Sequence, residues 1–251
     1  MLRLKRLAVF CVFTIAVVTG LLFWLIHPSG AAAPWGQSPP PQSGAKLPML
    51  SSISTPAVDI AEGPVDAQWL EQSAAQTGIP ARALQAYAAA AERANADAPT
   101  CRIGWNTVAA IGFFESAHGS HGGGSLTPAG QSNRTIIGPS LNGDSFAAIA
   151  DTDSGAFDGD AVWDHAVGPM QFIPSTWQQA GRDGNGDGEA DPLNIDDAAL
   201  SAAAYLCAGG RDLTTDRGWT DAVLSYNQSD SYVRQVRDQA NVYDAQSAPT
   251  G

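Results

Sequence analysis

Hydrophobic and polar positions divide the chain into three stretches. From Leu7 to Ile26 no residue is charged and most are apolar; as a helix these 20 residues would measure about 30 Å, enough to cross a bilayer. Residues 28–62 hold seven of the 16 prolines among many Ser, Gly and Ala, the composition of a flexible to semi-extended tether. From Pro64 onward apolar positions recur at helical spacing. The pattern predicts helices over Val65–Gln76 and Ala81–Ala94, punctuated by Gly78 and Pro80. A third runs from Trp105 to about His118 and ends at Gly119. Residues 119–165 lose periodicity and become rich in Gly, Ser, Asn and Asp; an irregular stretch of that length inside a folded region is usually functional. Helical spacing returns at Pro174–Ala180, Asp197–Ala208, Thr220–Tyr226 and Ser231–Gln239. The best strand candidate, Thr135-Ile136-Ile137, is short. The expected class is mainly α, without internal repeats, with one folded domain over 63–245.

Charge refines this division. Arg3, Lys5 and Arg6 precede the apolar run, so the short N-terminus is expected to stay in the cytoplasm and the rest to be exported. Residues 1–27 therefore read as a signal anchor. Ala31-Ala32-Ala33 offers a cleavage site, which would release the protein, although the run is long for a cleaved signal peptide. All 25 acidic residues but only ten of the 13 basic ones follow Pro28. A domain so acidic repels nucleic-acid phosphates, and nucleic acid is set aside as a partner. Cys11 lies inside the apolar run. The other two cysteines, Cys101 and Cys207, are expected to pair in an oxidising compartment, the alternative being two buried thiols. Their bridge would close a loop of about 106 residues, worth roughly 4–5 kcal/mol by chain entropy.

Ile103 to Ser116 contains one ionisable side chain, Glu115. Ile111 and Val108, one and two turns back, share its helix face, and Trp105, Phe113 and Phe114 make the segment apolar. Desolvation raises a carboxyl pKa, and a helix C-terminus disfavours negative charge in the same direction. A raised pKa suits a general acid that must hold its proton near neutrality. The bland alternative is a glutamate on the solvent edge of a core helix. His118 and His121 follow, but no His-Glu-x-x-His motif is present and both lie in a glycine-rich run. They read as loop histidines, solvated or in contact with substrate, and not as zinc ligands.

Downstream stands Gly168-Pro169-Met170-Gln171-Phe172-Ile173-Pro174-Ser175-Thr176-Trp177. This string closely resembles the Gly-x-Met-Gln-Phe-x-Pro-Ser-Thr-Trp segment of the lytic murein transglycosylases of the membrane-bound lytic transglycosylase B and soluble-lytic-transglycosylase-35-like family. The order fits as well: Glu-Ser on a helix, a loop, then this segment, followed by matches at Asp183–Asp197, Tyr205, Tyr226-Asn227 and Tyr232. The resemblance covers about residues 63–240 and is looser over 119–165. It implies a lysozyme-like (goose-type or transglycosylase) α fold with a long irregular active-site loop, and cleavage of the β-1,4 bond between MurNAc and GlcNAc. By position it implies Glu115 as the catalytic acid. Met170, Gln171 and Phe172 would line the sugar subsites, and Tyr205, Tyr226, Asn227 and Tyr232 would surround the scissile bond. Amides and phenols hydrogen-bond sugar hydroxyls and aromatic faces take pyranose rings, which is consistent with those roles.

Most glycosidases use two carboxylates, and Asp151, Asp153, Asp158, Asp160 and Asp164 could supply the second. The resemblance implies another route, in which Glu115 acts as acid and then as base, the MurNAc N-acetyl group assists, and the 6-hydroxyl attacks to give a 1,6-anhydro sugar. Intramolecular attack has a high effective concentration, so one carboxylate can suffice. Asp183-Gly184-Asn185-Gly186-Asp187-Gly188 follows the first half of an EF-hand loop, D-x-[DN]-x-[DN]-G, while position 12 is Asn194 in place of Glu. In the resembling family the final ligand falls where Asp197 stands. The expectation is a structural Ca²⁺ held by Asp183, Asn185, Asp187, the Glu189 carbonyl and Asp197 in an EF-hand-like loop at 183–197, the alternative being an empty turn. No organic cofactor is expected. Three functions stay open at this point: a lytic transglycosylase, a hydrolytic muramidase, and a non-catalytic peptidoglycan-binding module. The expected partners are peptidoglycan glycan strands and, through the N-terminal helix, the outer face of the cytoplasmic membrane; the protein is expected to be a monomer.

Overall fold

The computed structural model describes residues 65–144 and 147–247. The expected anchor (1–27) and tether (28–62) lie outside the described residues. Among the described residues no helix is long and apolar enough to cross a membrane. Seven α-helices are present there: α1 (Ala67–Thr77), α2 (Ala81–Asp97), α3 (Trp105–Ser116), α4 (Pro174–Ala180), α5 (Ile195–Leu206), α6 (Asp216–Tyr226) and α7 (Asp230–Ser247). The mainly α expectation holds.

Local chemistry sets most of the boundaries. Asp66 caps α1 by accepting from Trp69 N at 2.7 Å, and Gly78 ends it in the left-handed region at φ 72°. Pro174 opens α4 at the first helical position. Asn194 caps α5 through Asp196 N, and Thr215 caps α6 through Gly218 N, so that α6 begins at Asp216, four residues before its expected start. α3 is shorter than expected. Ala117, His118 and Gly119 take positive φ of 49°, 61° and 80°, so the helix stops at Ser116. α7 is longer than expected because Val233, Val236, Ala240 and Tyr243 stay buried at three- and four-residue spacing.

The core forms where α2 packs on α5 and α3 packs on α7. Its largest buried side chains include Trp105, Trp219, Tyr87, Leu84, Ile111 and Met170. Trp69 meets Trp105 edge to face at 5.4 Å, and Tyr243 stacks on Trp105 at 6.4 Å. Cys101, just before α3, is bonded to Cys207 at the end of α5, as expected, with Cα atoms 5.3 Å apart. Arg82 of α2 forms an ion pair with Asp196 of α5 and donates to the Pro128 carbonyl at 3.0 Å, tying the irregular segment to the helices.

Residues 119–165 are not wholly irregular. β1 (Ile137–Ser140) pairs antiparallel with β2 (His165–Val167), aligning Ile137 with Val167 and Ser140 with His165. The strand candidate at 135–137 therefore marks the entry to a real strand.

Candidate active site

Glu115 is the penultimate residue of α3, whose first eight residues, Trp105 to Gly112, are all buried. It is half-buried, and its carboxyl is pushed up to about 7 because desolvation outweighs the hydrogen bond from Tyr232 that favours its ionised form. The Tyr232 hydroxyl donates to Glu115 Oε1 at 2.5 Å. Neither influence is another carboxylate. Burial, with the Glu115 charge added, lifts the phenols of Tyr226 and Tyr232 well above their ordinary range, so both remain protonated donors.

The Gly168–Phe172 segment turns back beside α3. Val167 and Phe172 exchange backbone hydrogen bonds of 2.8 and 3.0 Å across it. Gly168 takes φ 76°, and a Cβ there would meet the Pro192 carbonyl oxygen at 1.8 Å, so only glycine fits. Gln171 accepts φ 50° and bonds its amide to the Gly168 carbonyl at 2.9 Å. Two outside groups fix the turn: Ser116 Oγ donates to the Pro169 carbonyl at 2.6 Å, and the Tyr226 hydroxyl donates to the Met170 carbonyl at 2.6 Å. The residue after Glu115 thus ties the acid's helix to the turn. Sequence reading passed over Ser116, although its place in the Glu-Ser pair was visible.

The other expected site residues separate into two groups. Tyr205, Tyr226 and Phe172 form an edge-to-face series, with centroids at 6.0 Å for the first pair and 5.8 Å for the second. Met170 and Phe172 are buried, so their side chains belong to the packing under the turn, while Gln171 is half-buried. Asn227 is exposed at the C-cap of α6.

His118 departs from expectation. It is buried beneath α3, with Nδ1 3.2 Å from the Tyr87 hydroxyl and Nε2 2.9 Å from the Tyr243 hydroxyl. Burial lowers its pKa to about 4, so the imidazole is neutral at physiological pH. It is therefore neither solvated nor free to touch substrate, whereas His121 is exposed. Gly112 leaves room for this arrangement, since a Cβ there would meet the Tyr87 hydroxyl at 2.2 Å.

The loop aspartates hold the loop together. Asp164 is buried and accepts from Thr152 N at 2.9 Å and Thr152 Oγ1 at 2.8 Å. Asp151 accepts from the amides of Asp153, Ser154 and Gly155. Asp160 is lowered, first by the Val162 amide and then by His165, which contacts it at 3.2 Å.

In the 183–197 loop the carboxylates likewise turn to backbone amides. Asp183 accepts from Gly186 N and Gly188 N, and Asp197 accepts from Gly184, Asn185 and Asp191 N. Asp197 is nevertheless raised, by desolvation first and by the charge of Asp183 among lesser causes, even though three amides point at it. Among the described residues the acidic groups of this loop do not draw together as closely as Asp151, Asp153 and Asp164, whose ligand atoms lie within 4.8 Å of one another. A cavity of about 390 Å³ opens between α2 and α5, lined by Ala86, Ala90, Arg93, Gly184 and Leu200 among others, and none of the expected site residues lines it.

Residues 145–220 match the transglycosylase SLT domain family. That span contains the Gly168–Trp177 segment, the 183–197 loop and Tyr205; Glu115, Tyr226, Asn227 and Tyr232 lie outside it. No curated protein matches the chain. A similar solved structure is SltB3 from Pseudomonas aeruginosa in complex with NAG-anhNAM-pentapeptide, 20% identical, covering 82% of this chain and 72% of that one, with a TM-score of 0.41.

Proposed function

We propose that this chain, whose residues 145–220 match the transglycosylase SLT domain family, is a lytic transglycosylase that cleaves the MurNAc-β-1,4-GlcNAc bond of peptidoglycan with Glu115 as acid and then base. The observation that carries the reading is a single carboxyl at the end of an apolar helix, raised to about 7 by desolvation. Protonated Glu115 gives its proton to the glycosidic oxygen, the C1–O bond breaks, and GlcNAc leaves with a free 4-hydroxyl. The MurNAc N-acetyl carbonyl oxygen closes on C1. Glu115, now a carboxylate, takes the proton of the 6-hydroxyl; O6 attacks C1, displaces the acetamido oxygen and yields the 1,6-anhydro sugar. The proton is back on Glu115 and no water is consumed. The Tyr232 hydroxyl, 2.5 Å from Oε1, steadies the carboxylate in the middle of this sequence. Gln171, Tyr205, Tyr226 and Asn227 are proposed to border the sugar subsites, with Met170 and Phe172 packed behind them.

Peptidoglycan incubated with the full-length protein and analysed by mass spectrometry tests the reading. Anhydro-muropeptides from the wild type, with at least a hundredfold fewer from Glu115→Gln, are expected, since removing a general acid costs roughly 10²–10⁴ in rate. Reducing-end products would make the enzyme a muramidase instead.

The chain is further proposed to work at the outer face of the cytoplasmic membrane, held by residues 1–27. Ca²⁺ at Asp183, Asn185, Asp187, the Glu189 carbonyl and Asp197 would brace the turn between α4 and α5. Stripping divalent cations with EDTA should then lower Tm, and added Ca²⁺ should restore it; an unchanged Tm would leave the loop a metal-free turn.

A further inference from the structure

Phe113 and Phe114 break the pattern of α3. The eight residues before them are buried, yet these two are 40% and 37% exposed. Other large hydrophobics exposed to this extent among the described residues, Ile137, Val162 and Val242, stand singly. A lone exposed apolar side chain needs no explanation. Two adjacent rings beside the acid do, because leaving apolar ring surface in water forgoes the stabilisation that its burial would give.

Their arrangement is ordered. The rings meet at 5.1 Å and 82°, forming a corner. Phe113 is backed by His118 at 5.7 Å, and Phe114 by Tyr232 at 6.2 Å, the same tyrosine that donates to Glu115. His118 is in turn held between Tyr87 and Tyr243. Each ring thus has protein behind it and solvent on the rest of its surface.

We propose that Phe114, with Phe113 set across it, is a stacking platform for the pyranose ring next to the scissile bond. The proposal rests on the reading of Glu115 as a glycan-cleaving acid and adds a binding contact to it. A pyranose ring has an apolar C–H face, and an aromatic surface fixed from behind receives it without losing further side-chain freedom. Because Phe114 precedes Glu115 and touches the tyrosine bonded to it, a sugar seated there lies against the reacting centre. A glycan fits this patch better than a lipid surface does: a bilayer pressed on two rings beside Glu115 would cover the acid's approach. The rings handle no proton, so their part is to set where the strand sits.

The test compares full-length Phe114→Ala, Phe114→Leu and Phe114→Tyr for binding of a soluble (GlcNAc-MurNAc)₂ tetrasaccharide in a Glu115→Gln background, and for turnover with Glu115 intact. Phe114→Ala should weaken binding about tenfold and lower kcat/KM through KM, with kcat changed far less. Phe114→Leu should lose most of the same affinity, and Phe114→Tyr should retain it. Equal affinity in Phe114→Ala, or full affinity in Phe114→Leu, overturns the platform. So does a Phe114→Ala variant that loses binding to anionic phospholipid vesicles while keeping the tetrasaccharide. A wild type that binds the tetrasaccharide but releases no glycan products from peptidoglycan fails the parent reading instead, and the binding series still decides the platform.

Discussion

Glu115 and the aspartates of residues 151–164 are the same chemical group in opposite surroundings. Glu115 sits on an apolar helix with Tyr232 as its hydrogen-bond donor, and desolvation raises it to about 7. Asp164 is more deeply buried but receives two donors from Thr152, and Asp160 is drawn down by the Val162 amide and by His165. A carboxyl is kept protonated near neutrality when what it loses in water is not returned by donors. By that measure Glu115 is the carboxyl proposed to do chemistry, and Asp151 and Asp164 of the irregular segment support its own turns.

The largest effect expected on this contrast is the loss of at least a hundredfold in product formation for Glu115→Gln. Next comes Asp164→Ala. It strips the acceptor from both Thr152 donors, and should cost roughly 1–3 kcal/mol of stability in chemical denaturation. Its activity, measured where the variant is still folded, should fall far less than that of Glu115→Gln. A folded Asp164→Ala enzyme as inactive as Glu115→Gln would put a reacting carboxylate in the loop and dissolve the distinction.

The two regions also differed in how much of them the sequence disclosed. α3 and α4 were readable because their signals are local: an apolar run begun at Trp105 and a proline at the first position of α4. Glu115 stood out as the one charge in its segment. Pairing between Ile137 and Val167 was not readable, since the partners are far apart in sequence and each strand is at most four residues long. The fate of His118 depended on Tyr87 and Tyr243, which arrive from two other helices. Met170 and Phe172 were expected to line the sugar subsites and instead point into the packing, since no local pattern tells an inward from an outward side chain in a turn with left-handed residues at Gly168 and Gln171. The continuation of α7 past Gln239 was legible in the spacing of Ala240 and Tyr243 and was missed because polar residues separate them.

The smallest and most informative change is Tyr232→Phe. The hydroxyl favours the ionised form of Glu115, so removing it should raise the carboxyl's pKa further and carry the alkaline limb of kcat/KM to higher pH. The sign is fixed: the proton-donating form predominates below the pKa and is lost as pH rises through it. The most direct test of the account is a titration of the Glu115 side-chain carboxyl by ¹³C NMR, in the wild type and in Tyr232→Phe. A midpoint near 7 in the wild type and a higher one in the variant is the expected result. A midpoint in the ordinary glutamate range of about 4.3, unmoved by the substitution, would contradict it.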